Sequence, residues 1–214
     1  MSIVITGANR GIGAEIARLY RAEGLDVVGT ARDGSETVQL DVTQPDQHRA
    51  MAEKLAGQSV ELLVCNAGVY VDKGQSLESG FDAAMWAQTF AVNVTGVFLA
   101  VQALLPNLRA AEGAKIAIIS SQMASHERAP GGSYIYRSSK AAALSLGRNL
   151  ASDLRPEGIA VGIYHPGWVQ TDMGGGTADI TVAEAGAGLV ERFAALSMDA
   201  TGCFETWDGR QHPY

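Results

Sequence analysis

Cysteine is scarce in this chain. Cys65 and Cys203 are the only two among 214 residues, they stand far apart, and no CxxC pair occurs. That speaks against a disulfide framework and a cysteine-ligated zinc, and makes a reducing, cytoplasmic setting the expectation. The four histidines, His48, His126, His165 and His212, show no ligand spacing, so no metal is expected. Basic residues are outnumbered, 16 Lys+Arg against 23 Asp+Glu, for a net charge of −7. Such a surface argues against general nucleic-acid binding and an anionic-membrane anchor. No continuous apolar run reaches the ~18–20 residues of a membrane span. Ser2–Thr6 is too short for a secretory core and runs straight into glycines. What remains is a globular balance, 47% hydrophobic and 18% charged, and one domain is expected over residues 1–214.

Glycine, by contrast, is abundant, 25 residues, several at the ends of apolar or helical patterns. Short apolar runs read as strands at Ser2–Thr6, Asp26–Thr30, Val38–Val42, Glu61–Cys65, Lys115–Ser120 and Ile159–Tyr164, with Cys203–Thr206 as a last edge strand. Helical patterns lie between them: Ile12–Glu23, Gln44–Leu55 with Pro45 in its first turn, Phe81–Arg109, Tyr134–Leu154 and Val182–Ala195. This alternation predicts an α/β fold: a Rossmann-type, doubly wound parallel sheet of about seven strands between two helical layers. Such sheets bind ligands outside the carboxyl ends of their strands.

Thr6-Gly7-Ala8-Asn9-Arg10-Gly11-Ile12-Gly13 joins the first strand to the first helix. Glycines there permit a tight turn and let backbone approach a pyrophosphate at the helix N-terminus, so Gly7, Asn9, Arg10, Gly11, Ile12 and Gly13 are candidate cofactor contacts. An acid about 20 residues beyond the glycines selects NAD, whereas an arginine accommodates the 2′-phosphate of NADP. Thr30 occupies the acid position and Arg32 follows, with Asp33 expected to point away. NADP(H) is therefore expected over NAD(H), aided by Arg10; the alternative is that Arg32 is simply a solvated surface charge. Tyr136 and Lys140 stand at i and i+4 on one helix. A free phenol has a pKa near 10, and a neighbouring ammonium is expected to lower it.

The glycine spacing TGxxxGxG resembles that of the short-chain dehydrogenase/reductase family, and the likeness extends over nearly the whole chain. Asp41-Val42 resembles the family's adenine-contacting pair, and Asn66-Ala67-Gly68 its NAG signature, with Cys65 where a second Asn is usual. Asn93 resembles the active-site Asn, Ser121 the active-site Ser, Tyr136-Arg-Ser-Ser-Lys140 the YxxxK signature, and Pro166-Gly167-Trp168-Val169-Gln170-Thr171 the PGxVxT segment. His165–Gly175, with YIYRSSK, is similar to small reductases of the C-factor-like and sniffer-type group.

The resemblance implies hydride transfer between a nicotinamide and a carbonyl or alcohol. Tyr136 would be acid/base, Ser121 would polarise the carbonyl, Lys140 would reach the nicotinamide ribose, and Asn93 would hold a water linking Lys140 to solvent. Thr171, near Val169, would take the carboxamide. Ser120 stays open as the alternative to Ser121, because Ser121 and Tyr136 stand 15 residues apart, slightly more than usual. Met123, His126, Trp168 and a glycine-rich lid over 172–180 are expected to meet a small-molecule substrate. Tyr134 is expected to pack or to wall the substrate, and Trp168 equally to anchor the core. The implied partner is a second copy, as homodimer or homotetramer, through the apolar helix that includes Val92–Leu105. A cofactor-binding regulatory protein without turnover, and an NAD-linked alcohol dehydrogenase, are the competing readings.

Overall fold

A computed structural model describes residues 2–78 and 80–214. Its elements follow in chain order: β1 Ser2–Thr6, α1 Gly11–Ala22, β2 Asp26–Ala31, β3 Val38–Gln39, α2 Pro45–Lys54, β4 Leu62–Cys65, α3 Ala83–Phe90, α4 Gly96–Arg109, β5 Lys115–Ile119, α5 Tyr134–Leu154, β6 Ala160–His165, α6 Val182–Ala195 and β7 Phe204–Thr206. The strands form one sheet in the order β3-β2-β1-β4-β5-β6-β7. Every neighbouring pair is parallel.

Alternate residues of each strand feed opposite faces, as the period of two requires. Ile3, Ile5, Leu62 and Val64 pack with Ile16 and Tyr20 of α1 and with Leu189 and Phe193 of α6. Val4, Leu63, Cys65, Ile116 and Ile163 pack with Met51 of α2, Leu104 and Leu108 of α4, and Leu144 and Leu150 of α5. The fold is therefore the expected three-layer Rossmann-type sandwich. From β1 the chain winds outward to β3, then returns to β4 on the other side of β1. The carboxyl ends of β1 and β4 thus flank a switch point.

One sequence expectation needs correction, and two features of the fold add to it. The third strand stops at Gln39, not Val42. Beyond it the Asp41 amide donates to Gln47 Oε1 (2.6 Å), and Asp41 Oδ1 accepts from the Thr43 amide and hydroxyl, so a turn replaces the ladder. No helix connects β2 to β3; residues 32–37 alone make that parallel connection, where a dozen or more residues are usual. Lastly, the span Ala83–Arg109 is long and apolar enough, by length and composition only, to cross a membrane. Arg109 is its one charged residue, and the polar Thr89, Asn93 and Asn107 within it are buried. Its buried side faces the sheet through Val97, Val101, Leu104 and Leu108, while Phe98 is exposed.

Candidate active site

The phosphate-binding end is built at β1 and β4. Gly7 and Gly11 both adopt positive φ, 67° and 53°, which favours glycine. A Cβ at Gly13 would lie 2.2 Å from the Gly7 carbonyl oxygen and 2.4 Å from Asn66 Nδ2. The turn is closed by Asn66, whose Nδ2 donates to the carbonyls of Thr6 (3.0 Å) and Gly7 (2.9 Å). The amides of Asn66 and Ala67 in turn donate to Thr6 Oγ1. Arg10, at the N-cap of α1, makes no side-chain cap, and the first turn carries no acid. The opening N–H groups of α1 are thus left without a side-chain partner. A glycine cradle facing such a helix end fits a pyrophosphate.

The charges around that cradle stand in solvent. Arg10 Nη1 lies 2.9 Å from Asp172 Oδ2, a pair exposed on both sides. Arg32 is exposed beyond β2, and its carbonyl accepts from Gln39 Nε2. Asp33 does not point away: its Oδ2 accepts from Asn9 Nδ2 (3.3 Å) of the glycine turn, and bonds from Ser35 hold its carboxyl below the usual range. The short link from β2 to β3 turns it back toward the turn. Val42 is buried beside Gly96 of α4, where an added Cβ would lie 2.8 Å from its Cγ2.

The second half of the site lies at the ends of β5 and β6. A cavity of about 320 Å³ is lined by Ser121, Met123, Tyr136, Trp168, Met173 and Lys73, with Ile12, Pro166, Gly167, Val169, Thr171 and Gly174 on the side of the glycine turn. Tyr136 is 7% exposed and Lys140 4%. Burial pushes the Tyr136 phenol up to about 12, against a hydrogen bond from Ser121 that pulls it down. Burial also pushes the Lys140 ammonium down to about 8. Lys140 Nζ donates to the Ile119 carbonyl (2.9 Å) and lies 5.7 Å from the Tyr136 ring centroid. The expected lowering of the phenol by Lys140 is therefore not what this arrangement produces. Desolvation of both groups outweighs their attraction.

Of the two serines left open, Ser121 bonds to Tyr136. Ser120 instead donates to the Lys140 carbonyl, at 3.0 Å. Asn93 lies in a π-helical turn, Ala91–Thr95, between α3 and α4, a kind of turn frequent at functional sites. Its side chain bonds to the Val69 peptide and to Ser139. Oδ1 accepts from the Val69 amide (2.8 Å), and Nδ2 donates to the Val69 carbonyl (2.9 Å) and to Ser139 Oγ (3.0 Å).

Thr171 Oγ1 accepts from the Gly174 amide (3.1 Å), which folds the start of the lid. Trp168 is no core anchor: it is exposed, and its Nε1 donates to the Gly174 carbonyl (2.8 Å). His126 is exposed and outside the cavity, and Tyr134 packs edge-on to Phe81 instead of walling it. Cys65 is a buried core thiol. Among the described residues no His/Cys/Asp/Glu group could hold a metal.

Two residues of the site were missed. Tyr70 stacks on Tyr136 with ring centroids 4.2 Å apart and planes 20° off parallel. Asp72, fully buried, accepts from the backbone amides of Ile135 and Tyr136. Both follow the Asn66-Ala67-Gly68 segment, and no local pattern marks them; only the docking of this loop on α5 gives them a role.

The comparisons agree with this architecture. Residues 1–180 match the model of the short chain dehydrogenase family. The chain belongs to the short-chain dehydrogenase/reductase family. It is 36% identical to C-signal of Myxococcus xanthus over 168 residues, covering 78% of this chain and 99% of that protein. Among solved structures, the NADPH-bound carbonyl reductase from chicken fatty liver superposes with a TM-score of 0.90 at 30% identity, over 100% of this chain and 98% of that one. Carbonyl reductase Sniffer of D. melanogaster does so with a TM-score of 0.93 at 26% identity, over 100% and 99%. As a member of this family the chain is an oxidoreductase.

Proposed function

We propose that this short-chain dehydrogenase/reductase reduces aldehydes or ketones with NADPH, Tyr136 acting as the general acid. The observation that carries the reading is the buried Tyr136 hydroxyl, bonded to Ser121, inside the cavity that adjoins the glycine cradle. Gly7, Asn9 to Gly13, Asp41, Val42, Asn66 to Gly68, Pro166, Gly167, Val169 and Thr171 would hold the dinucleotide, with Arg32 and Arg10 at its 2′-phosphate. When bound, the cofactor supplies the hydride to the carbonyl carbon.

The chain's own residues handle the oxygen and its proton. Ser121 donates a hydrogen bond to the carbonyl oxygen and orients it. Tyr136 transfers its phenolic proton to that oxygen as the charge develops. A phenol held near 12 keeps this proton through the neutral range. Lys140, charged below about pH 8, offers a cation within the site that compensates the phenolate left behind. Asn93 holds Val69 and Ser139 in place. The apolar wall of Met123, Trp168 and Met173 favours a substrate with a hydrophobic body.

NADPH consumption with a panel of aldehydes and ketones, followed by its near-ultraviolet absorbance, tests the reading. Turnover is expected to fall about a thousandfold or more in Tyr136→Phe and to persist in Tyr134→Phe; the reverse pattern would overturn it. A second reading rests on the likeness to C-signal: a cofactor-binding regulatory protein without turnover. It predicts NADPH binding with no carbonyl consumed by the wild type.

A further inference from the structure

Helix α5 presents Tyr136 from its first turn, yet its own sequence does not cap it. Ser133 at the N-cap sits in the left-handed region (φ 47°, ψ 43°) and makes no side-chain cap, and the first turn contains no acid. The opening amides are buried, with Ile135 wholly inaccessible, and unpaired they would cost stability. Asp72, 63 residues earlier, supplies what is missing: Oδ2 accepts from the Ile135 amide at 2.9 Å. Both carboxylate oxygens face the Tyr136 amide, at 3.3 and 3.4 Å.

The same loop grips the catalytic ring. Tyr70 stacks on it, and the Tyr70 hydroxyl is hydrogen-bonded to Ser133 Oγ. The loop is itself pinned by the two Asn93 bonds to Val69. A neutral Asn or Ser would satisfy two amides as well as Asp does. A fully buried carboxylate with no Lys or Arg paired to it among the described residues is a costlier choice.

We propose that Asp72 is a positioning residue for Tyr136, fixing its backbone amide and setting a buried carboxylate against the first turn that carries the phenol. The inference rests on the reading of Tyr136 as the proton donor. The groups facing Tyr136 are few. Lys140 on its own helix favours the phenolate. Tyr70 and Asp72 from the loop after β4 oppose it, with Asp72 adding to the effect of burial. Lys73 and His165 line the cavity; burial holds His165 down to about 4, so it is neutral in the working range. Asp72 also offsets the positive end of the α5 dipole, which would otherwise stabilise a phenolate in the first turn.

The test is the pH profile of NADP⁺-dependent alcohol oxidation by the full chain, wild type beside Asp72→Asn and Asp72→Ser, with thermal unfolding measured on each. Oxidation needs the phenolate, so its rate rises with pH through the Tyr136 ionisation. Both neutral variants are expected to shift that rising limb to lower pH by about one unit. Asp72→Glu, which keeps the carboxylate, is expected to retain the wild-type limb while raising KM or lowering stability. A lowered Tm with an unmoved limb in either neutral variant would overturn the proposal and leave Asp72 a plain helix cap. Tyr136→Phe separates the two claims: if it still turns over, the assignment of Tyr136 fails, whatever Asp72 does.

Discussion

The two ends of the site handle charge in opposite ways. At the glycine turn, Arg10, Arg32, Asp33 and Asp172 stand in water, paired loosely if at all. Around α5, Lys140, Tyr136 and Asp72 are buried, and the first two titrate far from their usual values. Exposed charge costs little and discriminates modestly, because water screens it. Buried charge costs stability and in return shifts pKa values strongly enough to direct proton transfer. The stability at stake for function is thus concentrated on one helix, and substitutions at the two ends should differ in kind.

Lys140→Met is the sharpest break of that contrast. The folded-state pKa, about 8, lies below the ordinary 10.5. Between those values the unfolded chain binds more protons, so this group's contribution to stability rises with pH through the window and is least favourable below pH 8. A depression of that size corresponds to a cost of up to about 3 kcal/mol at pH 7. Lys140→Met should lose turnover about a thousandfold yet raise Tm by several degrees at pH 7, with a smaller gain near pH 10. Thermal scans at the two pH values decide it. An unchanged or lowered Tm at pH 7 would mean that the buried ammonium is not a burden.

The glycine turn should fail by packing instead of charge. A Cβ on Gly13 meets the Gly7 carbonyl at 2.2 Å, and backbone cannot yield as a side-chain tip can. Gly13→Ala should cost about 1–3 kcal/mol and weaken NADPH binding together with it. Gly176 in the lid has nothing within 4 Å of the same added atom, so Gly176→Ala should leave stability within about 1 kcal/mol of wild type. Equal losses at both positions, by thermal unfolding and cofactor titration, would remove the packing account.

How far these features were legible depends on how local they are. Helices α5 and α6 match their predicted limits, Tyr134–Leu154 and Val182–Ala195, because periodicity, propensity and flanking glycine or threonine all agree. The glycine turn and the Tyr136–Lys140 spacing are contiguous patterns and were read directly. The end of β3 was not, since Leu40–Val42 is apolar enough for a strand but is captured by an Asp41–Thr43 turn. The raised Tyr136 pKa could not be read either, because i,i+4 spacing reports proximity and says nothing of burial. Tyr70 and Asp72 belong to the same class: their meaning lies in a loop docking on a helix 63 residues away. Asp33 was misjudged because its direction depends on how the short link from β2 to β3 folds back to Asn9, which no local pattern reports.

That last residue makes cofactor choice the most delicate expectation. Arg32 and Arg10 favour a 2′-phosphate, but Asp33, bonded to Asn9 of the same turn, repels one. The two arginines outnumber the acid, yet Arg10 is partly engaged by Asp172. All of these groups are exposed, so water screens each of them and no single charge should fix the choice alone. Arg32→Asp should therefore lower the ratio of NADPH to NADH efficiency by about 10–100-fold, with Tm little changed because the residue is exposed. The loss should shrink as salt is added, as screening of an exposed contact requires. If the wild type already uses NADH at least as well as NADPH, Asp33 outweighs the arginines, and Asp33→Asn becomes the substitution that should move the preference toward NADPH.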